Sequence, residues 1–485
     1  MLARLCLPAC FGAQDYSSTP LACGDRADTF LAEDVDGDGR RDLVVQSGLD
    51  LRFFVLGPGG FPAAPTFSLR LDATTFLWTL ASFADHPKAS VVTMSSRGIH
   101  RYVRADGGFA PRPQDLVIHP NIFEGSVAAD QAPLHLDFMP ELTGDGLRDA
   151  VLFAAGEILV LTQRKDAAGR PDFRLAQKLP LPIDSGLQLS WGPHQTVREV
   201  TSVPVIAYGD FNGDKRVDIS YYLDESIGTF FQQPDGRFAA ADERAVGEKR
   251  KRRNTFLRFE VPPQIVDLNG DGLLDVVVVY ASKGRTHVYM NRDGKTDFSN
   301  PDAVLRVEDG WSTGAYVKDL DRDGTSEIIM GIVRKFGILG GLEVFTSKKI
   351  DLELHVFRFD AKAGTYNTQP VQQIPFRIPF TFQATRDSAQ VDLTFRPNFD
   401  ADVDGDGRID LIVERDAQTL DVYKGTATGF TDKPALAISY RPPADVATTQ
   451  PFIADFNGDG RSDFIMRYVM GDRRKHQVEV LISRK

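Results

Sequence analysis

The chain has 485 residues, 42% of them hydrophobic, enough for a substantial core, and a formal net charge of −11. That acidity argues against nucleic acid as a partner, and no stretch is long and apolar enough to span a membrane as a helix. Length alone would allow two or three domains, but the chain repeats itself, and repetition overrides length.

All three cysteines, Cys6, Cys10 and Cys23, lie at the N-terminus, and the remainder is free of thiols. A thiol-free body suits an oxidising compartment. The opening Met1-Leu-Ala-Arg4-Leu-Cys6 resembles the tail of an export signal, with an apolar run shorter than usual. Leu7-Pro-Ala-Cys10 resembles a lipoprotein cleavage box, which would make Cys10 a lipid anchor. A mis-called start codon and a Cys10–Cys23 disulfide stay open as alternatives. Residues 1–23 are therefore set apart as an export or lipoprotein-like segment, with a repeat domain expected over 24–485.

From residue 34 onward a nine-residue phrase recurs. It reads acid, any residue, Asp or Asn, usually Gly, Asp, usually Gly, two variable residues and a closing acid. The first copy is Asp34, Asp36, Asp38 and Asp42 at positions 1, 3, 5 and 9. Glu141 to Asp149 is the weakest copy. Asp210, Asn212, Asp214 and Asp218 follow, with Lys215 where the others have Gly. Then come Asp267, Asn269, Asp271 and Asp275; Asp319, Asp321, Asp323 and Glu327; Asp402, Asp404, Asp406 and Asp410; and Asp455, Asn457, Asp459 and Asp463. Four side-chain oxygens and a carbonyl at position 7 (Arg40, Arg216, Leu273, Thr325, Arg408 and Arg461) make a cage for a hard cation. Calcium takes six to eight oxygens in irregular geometry, so it suits such a loop better than magnesium. Gly at position 6 permits φ > 0, which Lys215 would resist. DG-rich segments are also ordinary turns, but six copies with every oxygen position filled point to about six Ca²⁺ sites. The copy at Glu141–Asp149 is not counted among them.

An EF-hand would need its bidentate acid at position 12 and helices on both sides. Here the last acid is at position 9 and opens a strand-like run, such as Asp275-Val-Val-Val-Val-Tyr280. Short apolar segments precede each phrase, so every loop is expected to close a β-hairpin. The first acids fall at 34, 141, 210, 267, 319, 402 and 455, and the wide first gap predicts a hidden unit near 85. Ser82 to Met94, around Asp85, has the flanking strands with a shortened loop and no cage. That makes eight units of about 50 residues. A third strand, then a Gly-Phe turn (Gly60-Phe61, Gly236 to Phe238, Gly429-Phe430) and a fourth strand complete several units. Four strands per unit is a propeller blade. The last unit ends after its third strand, and the segment before Asp25 is expected to supply its fourth.

On these residues the chain resembles the FG-GAP/VCBS repeat family, the calcium-loop propellers of integrin α-subunit heads and many bacterial surface and secreted proteins. The resemblance spans about residues 28–482. It implies an all-β fold, a single β-propeller of four-stranded blades with a Ca²⁺ loop in the first hairpin of most. Eight units favour the eight-bladed relatives, such as rhamnogalacturonan lyases, over the seven-bladed ones.

In such a blade the loop-bearing first hairpin turns lie on one face, and the long connections lie on the other. These are 110–134, 174–204, 239–262, 366–398 and the excursion from Arg334 to Lys349. Long loops on a regular scaffold are where binding tends to sit. Three features mark them: the basic run Glu248 to Arg253, the apolar Phe336 to Phe345, and Trp191 beside His194. No nucleophile elbow, zinc-protease motif or phosphate loop is present in the sequence. The expectation is an extracytoplasmic or cell-surface binding or adhesion protein that meets a protein or glycan on the face opposite the calcium loops. One alternative is a polysaccharide-lyase-like enzyme, for which His119, His135 and His194 are candidate bases without a defined set. The other is a structural component of a surface assembly.

Overall fold

A computed structural model describes residues 9–11, 16–105, 107–123, 131–181, 184–190, 196–202, 204–223, 225–246, 263–307, 310–334, 346–347, 349–384, 389–393, 397–471 and 475–484. The fold is all-β, a β-propeller of eight blade sheets, with four sheets in each of two compact units. Among the described residues, no helix is long and apolar enough to cross a membrane.

The first unit in chain order holds Arg26–Gly57 and Ala64–Val246. Its blade 1 pairs Thr29–Glu33, Asp42–Ser47, Asp50–Phe54 and Phe67–Arg70 in succession, all antiparallel. Blade 2 is Thr75–Phe83, His86–Ser95, Gly98–Tyr102 and Gln114–Ile118. The hidden unit expected near Asp85 is thus a full blade with a tight first hairpin. Blade 3 has Ala150–Ala154, Glu157–Lys165 and Pro171–Pro180. Its inner edge is completed by irregular backbone, since Val151 donates its N–H to the Phe138 carbonyl and Asp149 to that of Pro140. Blade 4 is Val205–Gly209, Asp218–Leu223, Ser226–Phe230 and Asp242–Ala245.

The second unit holds Met1–Asp25, Pro58–Ala63 and Gly247–Lys485. Blade 5 is Gln264–Val266, Asp275–Tyr280, Arg285–Tyr289 and Ala303–Arg306. Blade 6 is Gly310–Lys318, Glu327–Arg334, Lys349–Phe357 and Gln372–Ala384. Blade 7 is Asn398–Ala401, Asp410–Asp416, Thr419–Tyr423 and Leu436–Ser439, with Ala9–Phe11 running parallel to the last of these. Blade 8 is Val446–Ala454, Asp463–Met470 and His476–Ser483, and its fourth strand is Tyr16–Leu21 from the other end of the chain. The sheet therefore takes in residues from within the 1–23 segment that the sequence reading set apart.

The strands form where β-branched and aromatic residues concentrate, because these pack well on a pleated surface. Second strands are buried on both faces, as in Asp275–Tyr280. The core consequently lies between neighbouring sheets. Val44, Phe53, Trp78 and Val91 join blades 1 and 2, and Val279, Leu305, Ile328 and Met330 join blades 5 and 6. Each such side chain contributes roughly 1.5–3 kcal/mol on full burial.

A clamp that the motif did not announce fixes the Gly-Phe turns. Gln177, on the outer strand of blade 3, donates to the Phe238 carbonyl at 2.7 Å and accepts the Phe238 N–H at 2.7 Å. Gln372, on the outer strand of blade 6, does the same for Phe430 at 2.6 and 2.8 Å. One amide thereby satisfies a complete backbone group of the next blade, much as a strand neighbour would.

Candidate metal loops

Every phrase lies, as expected, just before the second strand of its blade, and in all but blade 3, whose inner edge is irregular backbone, it follows a first strand. In blade 1 the position-1 carboxylate organises the turn. Asp34 Oδ1 accepts the N–H of Gly37 at 2.6 Å and of Asp38 at 3.2 Å, while Oδ2 accepts that of Gly39 at 2.8 Å. The same bonds recur from Gly213 and Lys215 to Asp210, and from Gly458 and Gly460 to Asp455. The turn needs positive φ at positions 4 and 6, which glycine supplies in most copies, as at Gly37 and Gly39. Lys215 nevertheless reaches φ 66° at position 6, and Arg322 reaches 57° at position 4. The Lys215 N–H to Asp210 Oδ2, at 2.7 Å, is what holds that lysine there.

The position-9 acid is buried and braces the blade rather than the turn. Asp42 Oδ2 accepts the Val35 N–H at 3.1 Å, and Oδ1 accepts the Leu56 N–H beyond the third strand at 2.9 Å. The same pair of bonds forms at Asp149, Asp218, Asp275, Asp410 and Asp463. The weak copy at Glu141–Asp149 thus keeps the brace in full. Burial raises these carboxyls against the opposing pull of their backbone donors, and in most loops the neighbouring acids add to it. Asp42, Asp218, Asp410 and Asp463 are pushed up to about 6, and Asp275 and Glu327 to about 7.

Carboxylate oxygens of positions 1, 3 and 9 converge to within 4.8 Å in three loops: Asp34, Asp36 and Asp42; Asp319, Asp321 and Glu327; Asp402, Asp404 and Asp410. The position-5 carboxylates are engaged elsewhere, since Asp38 accepts the Arg40 N–H at 2.8 Å and Asp271, Asp323, Asp406 and Asp459 accept the equivalent bond. The expected carbonyl ligands Arg40, Leu273, Thr325, Arg408 and Arg461, and Arg216 likewise, thus belong to residues whose N–H groups close that small turn. In the asparagine copies, Asn212, Asn269 and Asn457 donate through Nδ2 to the position-5 carboxylate at 2.9–3.1 Å. An oxygen-only set with several negative charges and a buried member fits a hard divalent cation. The donor set of blade 1 meets that description.

Neighbouring loops of the second unit are also tied to one another. Ser326 donates its N–H to the Leu268 carbonyl at 2.8 Å, Ile409 to that of Leu320 at 2.8 Å, and Ser462 to that of Asp402 at 2.7 Å. The loops of blades 5 to 8 form one backbone-bonded series.

Of the histidines weighed as bases, His119 bonds the Pro120 carbonyl, His135 packs edge-on to Trp78 with centroids 4.9 Å apart, and His194 lies outside the described residues. Trp191, the basic run at 248–253 and the apolar run at 336–345 also lie outside them. Blade 2 does contain a serine–histidine–aspartate chain, with Ser95 Oγ to His100 Nε2 at 2.8 Å and His100 Nδ1 to Asp115 at 2.7 Å. Ser95 is only 3% exposed, and its Oγ also accepts the Arg97 N–H at 3.2 Å, so the chain closes a hairpin turn rather than presenting a nucleophile.

The family of FG-GAP-like repeats matches residues 267–330 and 402–466, each running from the acid loop of one blade into the second strand of the next, blades 5 to 6 and 7 to 8. No curated protein matches the chain. Among solved structures, an Agrocybe aegerita lectin specific for non-reducing terminal N-acetylglucosamine is 16% identical, with a TM-score of 0.40 over 73% of this chain and 86% of that one. The Photorhabdus luminescens Tc holotoxin pore is 15% identical, with a TM-score of 0.31 over 96% of this chain and 22% of that one. A putative 6-phosphogluconolactonase from Bacteroides fragilis is 14% identical, with a TM-score of 0.35 over 88% and 98%.

Proposed function

We propose that this protein, a propeller carrying FG-GAP-like repeats, is a non-enzymatic binding protein whose acid loops hold calcium and whose opposite face meets a protein or glycan. The repeats and the fold fit a binding or adhesion role. The observation that carries the reading is the repeated brace, a buried acid tied to two backbone N–H groups, which in blades 1 and 7 also has two further carboxylates converging on it. Calcium bound there would supply the positive charge that lets all three ionise together. Asp34, Asp36 and Asp42 would hold it in blade 1, with the matching residues of blades 4, 5, 7 and 8 in their loops.

An extracytoplasmic setting is part of the same reading. Loops with three or four acids and modest rigidity work best where calcium is millimolar. The cysteine-free body agrees with that compartment, and lipidation at Cys10 would place the protein at a surface. The connections between fourth and first strands are the proposed recognition surface, because they vary in length while the acid loops do not.

The test couples metal to ligand. Calcium bound per chain is counted by equilibrium dialysis, and a glycan array is probed in calcium and in chelator. About five or six ions, and glycan binding that is lost on chelation, support the reading. A chain that retains no calcium at millimolar concentration and keeps its unfolding temperature in chelator sinks it. New ultraviolet absorbance from an acidic polysaccharide would favour the lyase alternative instead.

A further inference from the structure

The loop of blade 6 has acids at the same four positions as that of blade 1, yet a side chain from the same blade reaches into it. Arg358 directly follows the third strand. Its Nε lies 3.0 Å from Glu327 Oε1, and its Nη2 lies 2.9 Å from Asp321 Oδ2 and 3.3 Å from Asp323 Oδ2. One guanidinium therefore contacts the acids at positions 3, 5 and 9, three of the four expected to ligate a cation. In the braced loops of the other blades, the position-9 acid accepts a backbone N–H from the end of the third strand or just beyond it. Here the longer Glu327 keeps the Leu320 N–H at 2.9 Å through Oε2, while its Oε1 lies beside the Arg358 guanidinium as an ion pair without a hydrogen bond. Arg358 Nη1 also bonds the Ala427 carbonyl of blade 7, and Arg322 reaches Asp402 of the blade 7 loop at 3.5 Å.

We propose that Arg358 is the built-in counter-ion of the blade 6 loop, so that this loop is closed by a guanidinium and takes no calcium. The inference rests on the calcium reading of the other loops. A planar fork with five donors matches several carboxylates at once, whereas a lysine acts as a single point of charge. Blade 7 shows the contrast. Lys424, the residue directly after its third strand, pairs with Asp404 alone, at 2.5 Å, and Arg322 comes no closer to Asp402 than 3.5 Å.

Blade 2 offers an independent precedent within the chain. Its acid loop is gone, but Asp85 survives at the first position, and the fully buried Arg101 holds both its oxygens at 2.9 Å. Twice, then, an arginine lies against the first-hairpin acids of a blade. The functional consequence is a division of labour. Blade 6 stays closed at any calcium level and is stapled to blade 7 through Ala427, while the loops bonded to it on either side respond to the ion.

The experiment counts ions. Calcium per chain is measured by equilibrium dialysis for the unaltered protein and for Arg358→Gln, with circular dichroism confirming the fold of each. The expected result is one additional calcium per chain in Arg358→Gln. Equal counts above zero overturn the proposal and leave the calcium reading intact, whereas no bound calcium in either protein overturns both. Should Arg358→Gln fail to fold, crystals of the unaltered protein soaked in calcium decide the matter. Ion density in the blade 1 loop with none between Asp319, Asp321 and Glu327 is the expected outcome, and an ion among those three residues overturns the proposal.

Discussion

Blades 1 and 2 are consecutive, share one apolar cluster, and close their first hairpins by opposite means. Blade 1 spends nine residues on a loop of converging acids, Asp34, Asp36 and Asp42. Blade 2 has a short turn, a single acid in Asp85, and the guanidinium of Arg101 permanently against it. Arg101 also takes Ser90 Oγ as acceptor at 3.0 Å and lies over the Phe83 ring at 4.3 Å. The difference teaches that the blade architecture needs the hairpin held, not metal as such. A fixed side-chain cation makes that hold independent of the medium, and a bound ion makes it conditional.

The comparison breaks most sharply at Arg101. Arg101→Met removes the only charge facing Asp85 from within the pair and empties a fully buried site. Breaking a buried pair from one side costs about 3–5 kcal/mol, and the partial exposure of Asp85 puts the expected loss near the lower end. The loss should be equal in calcium and in chelator, read by urea unfolding. A loss that appears only in chelator would mean that blade 2 also depends on metal.

Next in size is the brace of blade 1. Asp42→Ala leaves the buried N–H groups of Val35 and Leu56 without their acceptors, and each unsatisfied donor costs roughly 1–3 kcal/mol. We expect a loss of about 2–4 kcal/mol in chelator, together with one calcium fewer per chain by dialysis. Stability unchanged in chelator would show that the brace matters only through the ion.

The period of the acid phrases made most of this legible in advance. Seven loops, the hidden blade at Asp85 and the return of an N-terminal strand to blade 8 all follow from spacing and strand pattern, because a blade repeats its turns at fixed intervals. The cations were not legible, since Arg101 and Arg358 lie on or just beyond third strands, 16 and 37 residues from acids they meet. Nothing in a nine-residue phrase refers to them. A signal existed all the same: the residue after the aromatic end of the third strand is basic only in blades 6 and 7, at Arg358 and Lys424, among the corresponding positions Val55, Phe231 and Met290. The glutamine clamps on Phe238 and Phe430 were hidden for the same reason, because each joins one blade to the next across about sixty residues.

The smallest expected effect concerns an acid with neither solution. Glu414, in the second strand of blade 7, has a buried Oε2 without a hydrogen bond among the described residues. Burial, with Asp416 adding to it, pushes this carboxyl up to about 7 from an ordinary 4.5. An acid whose pKa is higher in the folded chain favours folding while protonated, so its contribution is lost as pH rises from about 4.5 to about 7 and stays lost above that. Glu414→Gln removes the titration. The variant should therefore unfold at a higher temperature than the unaltered protein at pH 8, with the gap closing as pH falls toward 4.5. Parallel unfolding temperatures across that window would show that Glu414 finds a counter-charge in the folded chain, which would place it with Asp85 rather than with Asp42.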